Sequence, residues 1–156
     1  MAQHTLVRIL GGTYPDPDGA GMLSVPVRLV VIHSGLSKSA ADLIAPLELG
    51  EQLSVVMDPA TRQVMGYAVL TALASRYRAS CIILGEAPHP DMELVHRVMI
   101  ESAGSDGLIA VGSGSINDIT KHAAHLAGKP YAVFGPAPSM NGYTSVSAAI
   151  TDNGLK

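Results

Sequence analysis

The sequence predicts an α/β fold: a parallel sheet with helices on both faces. Three observations carry this. Short, continuously apolar runs recur at residues 53–57, 79–84, 108–111 and 131–134, as strands buried on both faces require. Stretches of helical length separate them, so strand and helix alternate as in crossover units. Sixteen glycines and ten prolines punctuate the joints. With 47% hydrophobic but only 4% aromatic residues, the core of this 156-residue chain is aliphatic, and the length suits one domain, set at residues 1–150.

In chain order, residues 4–10 read as a first strand and residues 11–21, Gly-Gly-Thr-Tyr-Pro-Asp-Pro-Asp-Gly-Ala-Gly, as a surface loop. Residues 27–33 are β-branched and apolar, a second strand. Ser37 or Ser39 opens a helix that runs to about Ala45 and stops before Pro46. Residues 53–57 form a buried strand ending at Asp58-Pro59, and Pro59 suits a first helical turn. Val64, Tyr67, Ala68, Thr71, Leu73 and Ala74 supply the apolar stripe of a helix over 60–76. Residues 79–84 are a strand in which Cys81 reads as a buried small hydrophobe. After a loop at 85–90, Asp91 caps a helix with Leu94, Val95, Val98 and Met99 inward. Residues 108–111, 115–127 and 131–134 complete the alternation, and residues 135–143 form a loop.

Several function classes are excluded. A net charge of −3 without any basic run argues against a nucleic-acid surface. The lone Cys81 cannot form an internal disulfide, which fits a reducing cytoplasm. The longest apolar stretch, residues 22–36, contains Pro26, Arg28 and His33 and cannot span a bilayer, so no membrane role is expected.

In parallel sheets of this kind ligands bind beyond the carboxyl ends of the strands. Three features fall there. Gly112-Ser-Gly-Ser-Ile116 is a tight turn into a helix, where orphan backbone N–H groups and the helix dipole favour an anion. Ser113 or Ser115 is placed to cap that helix. Asp58 can accept hydrogen bonds from ribose hydroxyls or cap the helix at Pro59; the two readings are left even. The stretch from Pro138 to Ser145 is rich in small polar groups that either line a cleft or turn at Asn141-Gly142, with Met140 read as packing. Asp118, Lys121, His122 and His125 share the polar face of the helix. Two imidazoles are an incomplete metal site, so this reads as a solvated face. Lys121 can still reach a substrate phosphate.

Gly112-Ser-Gly-Ser-Ile-Asn-Asp-Ile-Thr-Lys121, followed by Ala137-Pro-Ser-Met-Asn-Gly-Tyr143, resembles the sn-glycerol-1-phosphate dehydrogenases of the iron-containing alcohol dehydrogenase, glycerol dehydrogenase and 3-dehydroquinate synthase superfamily. The resemblance implies a Rossmann-like domain that binds NAD or NADP. It implies cofactor contacts from Asp58, the turn Gly112, Ser113, Gly114, Ser115 and Ile116, the segment Pro136 to Ser139, and Ser145. Asn141 occupies the place of a substrate-binding Asp, and Pro136 that of a Thr. The implied reaction interconverts dihydroxyacetone phosphate and sn-glycerol 1-phosphate. The alternatives are a glycerol or other polyol dehydrogenase, or a non-catalytic nucleotide-binding module. The family's divalent metal (zinc, nickel or iron) is held by a helical second domain, expected to begin at 151–156. The chain alone is therefore expected to bind the dinucleotide without turnover, with a homo-oligomer possible.

Overall fold

The computed structural model describes residues 2–19, 21–23, 25–140 and 142–152. It divides into two compact units, Met1–Ile32 with Thr144–Val146, and His33–Tyr143 with Ser147–Lys156.

In the first unit, α1 (Ala2–Leu10) replaces the strand expected over residues 4–10. Leu6, Ile9 and Leu10 recur at helical as well as strand spacing, and so short a run does not decide between the two. The glycines that follow decide it. Gly11 N–H bonds Val7 O at 3.0 Å, Thr13 N–H bonds Arg8 O at 2.8 Å, and Gly12 takes φ +64°, together closing the helix C-terminus. The expected loop contains a minimal hairpin, β1 (Tyr14–Pro15) antiparallel to β2 (Met22–Leu23). The strand expected over 27–33 is not formed. Ile32 is 91% exposed. A β-branched run becomes a strand only where a neighbour completes its hydrogen-bond ladder, and among the described residues none does.

The second unit is the α/β body. A 3-10 turn leads into α2 (Ala40–Ile44), which no serine side chain caps; the turn's own N-cap is Gly35, at φ +76°. Then follow β3 (Gln52–Met57), α3 (Pro59–Thr61), a π turn (Arg62–Gly66), α4 (Tyr67–Ala74), β4 (Arg78–Ile83), α5 (Met92–Glu101), β5 (Gly107–Val111), α6 (Ser115–Leu126) and β6 (Tyr131–Phe134). The four strands are parallel in the order β4-β3-β5-β6. Alternate residues face opposite layers, as the pleat requires. Leu53, Val55, Met57, Ile109 and Val111 pack with Ile44, Val69 and Leu73 of α2 and α4. Val56, Leu108 and Ala110 pack with Val95, Val98, Ile116 and Ile119 of α5 and α6. The expected architecture, helices on both faces of a parallel sheet, is what forms.

Two details differ. Cys81 is exposed, because β4 is the edge strand and has a neighbour on one side only. The helix after Asp58 is broken by the π turn, whose extra residue rotates everything downstream. Val69 and Leu73 therefore face the core, whereas Val64 and Tyr67 are 74% and 52% exposed.

At the amino ends of the two central strands Asp106 joins β5 to β3. Its Oδ2 accepts the N–H groups of Gln52 and Glu51, each at 2.8 Å. These bonds hold the Asp106 carboxyl below its usual pKa. A depressed carboxylate stabilises the fold above its unfolded pKa of about 3.9, and that contribution is lost as pH falls through the folded value. Asp106→Asn is expected to lower the melting temperature at neutral pH and to flatten its decline in acid, which thermal melts at stepped pH will show. Ile109→Ala, at a fully buried position, is expected to cost about 2–5 kcal/mol in urea unfolding. Ile100→Ala, at a position 76% exposed, should fall within about 0.5 kcal/mol of the parent.

Candidate functional site

The carboxyl ends of β3, β5 and β6 lie side by side, and each hands the chain to one feature singled out from the sequence. The connection from β3 runs through α4 on one face of the sheet. That from β5 runs through α6 on the other. Leaving neighbouring strands on opposite faces, they open a crevice between β3 and β5, the switch point of an open α/β sheet.

Asp58 stands on the β3 side of this crevice. It caps the helix: Oδ1 accepts Thr61 N–H at 2.7 Å and Thr61 Oγ1–H at 2.9 Å, while Thr61 Oγ1 accepts Asp58 N–H at 3.1 Å. The capping half of the even reading is thus realised. Both bonds end on Oδ1, which leaves Oδ2 able to accept from a ligand hydroxyl.

The glycine turn stands on the β5 side. Gly112 N–H bonds Phe134 O at 3.1 Å, which seats the turn against the end of β6. A Cβ on Gly112 would lie 2.8 Å from Ile116 Cβ, so this glycine lets α6 approach the strand. Gly114 serves a different need. Its φ of +46° and ψ of −117° suit glycine alone, and the space beside it is open. Gly114 itself is the N-cap of α6, with no side-chain cap. The expectation that Ser113 or Ser115 caps the helix is therefore corrected, since the N-cap position falls on Gly114, which has no side chain, and the serines flank it. As a result the N–H groups of Ser113 and Ser115 take no partner among the described residues. Ile116 N–H is turned inward to Ser113 O. Met140, expected only to pack, accepts Gly114 N–H on its sulphur at 2.8 Å.

Lys121, one turn further along, is part-buried. Its Nζ donates to Gly142 O at 3.1 Å and Ser147 O at 3.2 Å, tying the loop after β6 to α6. Burial pushes its ammonium below the usual lysine range, with Asp118 opposing. Tyr143 closes the same loop, donating to Ala137 O at 2.9 Å with its ring against Gly135. Pro136 and Ser139 belong to this loop. Asn141 lies outside the described residues, and Ser145 belongs to the first unit. The rings of His122 and His125 are 6.5 Å apart. Among the described residues no three His, Cys, Asp or Glu side chains gather where a metal could be held.

Three further groups escaped the sequence reading. Fully buried Asn117 accepts Tyr131 O–H at 2.5 Å and donates to Asp118 at 3.1 Å, fixing the first turn of α6 over β6. Burial pushes the Tyr131 phenol up. Arg62, four residues after Asp58, lies over the Tyr67 ring at 4.7 Å, and its buried Nε has no hydrogen-bond partner among the described residues. Asn117 lies within the glycine motif and Arg62 one turn past the acid, but an Asn or Arg in a helix carries no signal of its burial.

An open, doubly wound α/β sheet with an acid and a glycine turn at its switch point defines the class of protein. The comparisons narrow it. The family model described as iron-containing alcohol dehydrogenase matches residues 31–156. The glycerol-1-phosphate dehydrogenase (NAD(P)+) of Bacillus subtilis (strain 168) is 29% identical over 148 residues, 89% of this chain and 37% of that protein. Its counterpart from Pyrococcus horikoshii is 31% identical over 83% of this chain and 37% of its own length. Among solved structures, maleylacetate reductase from Agrobacterium tumefaciens superposes with a TM-score of 0.57 at 26% identity, over 72% of this chain and 31% of that one. The chain belongs to the iron-containing alcohol dehydrogenase family, and it spans little more than a third of the length of these curated relatives.

Asp58→Ala removes the capping box and is expected to cost about 1 kcal/mol in urea unfolding, whereas Asp58→Asn, also a good cap, should cost less.

Proposed function

We propose that this chain is the nucleotide-binding portion of an NAD(P)-linked dehydrogenase of the glycerol-1-phosphate dehydrogenase type. On this reading the longer protein interconverts dihydroxyacetone phosphate and sn-glycerol 1-phosphate. The observation that carries it is the pairing, beyond adjacent strands, of a carboxylate with a spare oxygen and a glycine turn whose Ser113 and Ser115 N–H groups take no partner among the described residues.

The residues fit a dinucleotide. The N–H groups of Ser113 and Ser115, at the positive end of α6, are the donors for the pyrophosphate. Gly112 and Gly114 keep the approach clear, and Ile116 packs beneath the turn. Asp58 Oδ2 is the acceptor for a ribose hydroxyl. Pro136 and Ser139 border the seat from the loop after β6. Met140 covers Gly114 N–H and moves aside when the pyrophosphate enters. Lys121 holds that loop through two carbonyls; its ammonium and Asn141 are the groups proposed for a substrate phosphate or hydroxyl. The bound nicotinamide supplies the hydride acceptor or donor.

A divalent metal is part of the proposal only for the longer protein. The described residues of this chain do not form a set that fits one, and no step here is assigned to it. No described helix is long and apolar enough to cross a membrane.

Titration with NADH, followed by its own fluorescence, is expected to saturate. Asp58→Asn keeps the cap but removes the charge. It should weaken binding roughly tenfold, the loss expected for one charge-assisted hydrogen bond. Absence of any saturable signal at millimolar NADH contradicts the reading.

A further inference from the structure

Met140 puts a weak acceptor where a strong one is favoured. Its thioether sulphur accepts Gly114 N–H at 2.8 Å, at the N-terminus of α6. That end of a helix attracts negative charge, and a thioether carries almost none.

The contact is built into the loop after β6. A Cβ on Gly142 would lie 2.7 Å from Met140 Cε, so the bare backbone there makes room for the thioether methyl. Lys121 Nζ holds Gly142 O at 3.1 Å, and Tyr143 O–H holds Ala137 O at 2.9 Å. The loop is thus fastened on both sides of Met140, and the sulphur is kept on the glycine turn. Met57 is fully buried in the core, whereas Met140 is only half-buried and within reach of a small solute.

Oxidation changes the character of this side chain. Hydrogen peroxide transfers one oxygen to the sulphur: the O–O bond breaks, an S–O bond forms, the sulphur gives up two electrons, and the other oxygen leaves as water. The flexible apolar thioether becomes a polar sulphoxide. Its oxygen bears partial negative charge, which the N-terminus of α6 favours over sulphur. It would stand on the turn where the nucleotide reading puts the pyrophosphate.

We propose that Met140 is a redox-sensitive stopper on the glycine turn. Reduced, its weak contact with Gly114 N–H yields to the pyrophosphate. As the sulphoxide it keeps that donor and closes the seat. Two thiols reverse the change, carrying the oxygen off as water and becoming a disulfide. The inference rests on the nucleotide reading above and adds a means of regulating the same seat.

The test follows NADH fluorescence on titration of the chain before and after exposure to hydrogen peroxide, which is removed before NADH is added. The mass of the peptide containing Met140 reports the added oxygen. Oxidation is expected to weaken NADH binding about tenfold, the effect of a stronger hydrogen bond placed at a helix N-terminus. Methionine sulphoxide reductases with a thiol should restore it. Met140→Leu, similar in size and inert to peroxide, should show one NADH affinity before and after the same exposure. This separates Met140 from Met22 and Cys81, which are also exposed to the oxidant. Met140→Gln offers an amide oxygen in place of the sulphur and should bind NADH more weakly than Met140→Leu with no oxidant present. Unchanged or tighter NADH binding once Met140 is oxidised overturns the inference. So does an equal loss in Met140→Leu, or a Met140 that stays unmodified while Met22 is converted. Each of these leaves the nucleotide seat standing. Failure of the reduced chain to bind NADH overturns both.

Discussion

The pairing of β3 with β5 is the contact on which the rest of the site depends. Its register, Leu53 against Gly107 and Val56 against Ala110, places Asp58 and Gly112 two residues beyond a common rung. That pairing is specified at the amino ends of the two strands. Gly107 comes so close to Leu49 that a Cβ would lie 2.7 Å from its carbonyl oxygen. Gly50, at φ +95°, leaves room for Asp106, whose carboxylate ties β3 to the turn before β5. A slip of one residue would exchange the two core layers and part the acid from the glycine turn.

The crevice is built mainly from backbone. Gly114 caps α6 without offering a side chain, and at the positive end of the helix the N–H groups of Ser113 and Ser115 take no partner among the described residues. Side chains act one layer away. Asn117 and Tyr131 lock the first turn of α6 to β6, and Lys121 holds the following loop by its carbonyls. This division suits a site for phosphate groups, which need fixed donors at short range more than they need varied chemistry.

The body of the fold was legible in the sequence, because strands covered on both faces must be apolar throughout and turns must carry glycine or proline. The runs at 53–57, 108–111 and 131–134 showed this directly. The N-terminal segments were not legible in the same way. Residues 4–10 satisfied both periods, and residues 27–33 had strand propensity without a partner, which no local pattern can reveal. Cys81 lay in an apolar run whose edge position is a property of the sheet order. The inward face of α4 was displaced by a π turn that has no sequence signature. In the site, Gly112 and Asp58 could be read from residue type and position. Arg62 and Met140 could not, since what marks them is an unpaired nitrogen and a sulphur over an amide, and both depend on three-dimensional packing.

The central claim is that the crevice between β3 and β5 is a dinucleotide seat. Amide resonances in a 15N correlation spectrum, followed on addition of NADH, test it residue by residue. The account predicts that the largest shifts fall at Ser113, Ser115 and Ile116, with smaller ones at Asp58 and Thr61, while α5 and the residues around Asp106 stay still. Shifts confined to the surface of α5 or to the residues around Asp106, or no shifts at saturating NADH, would contradict it.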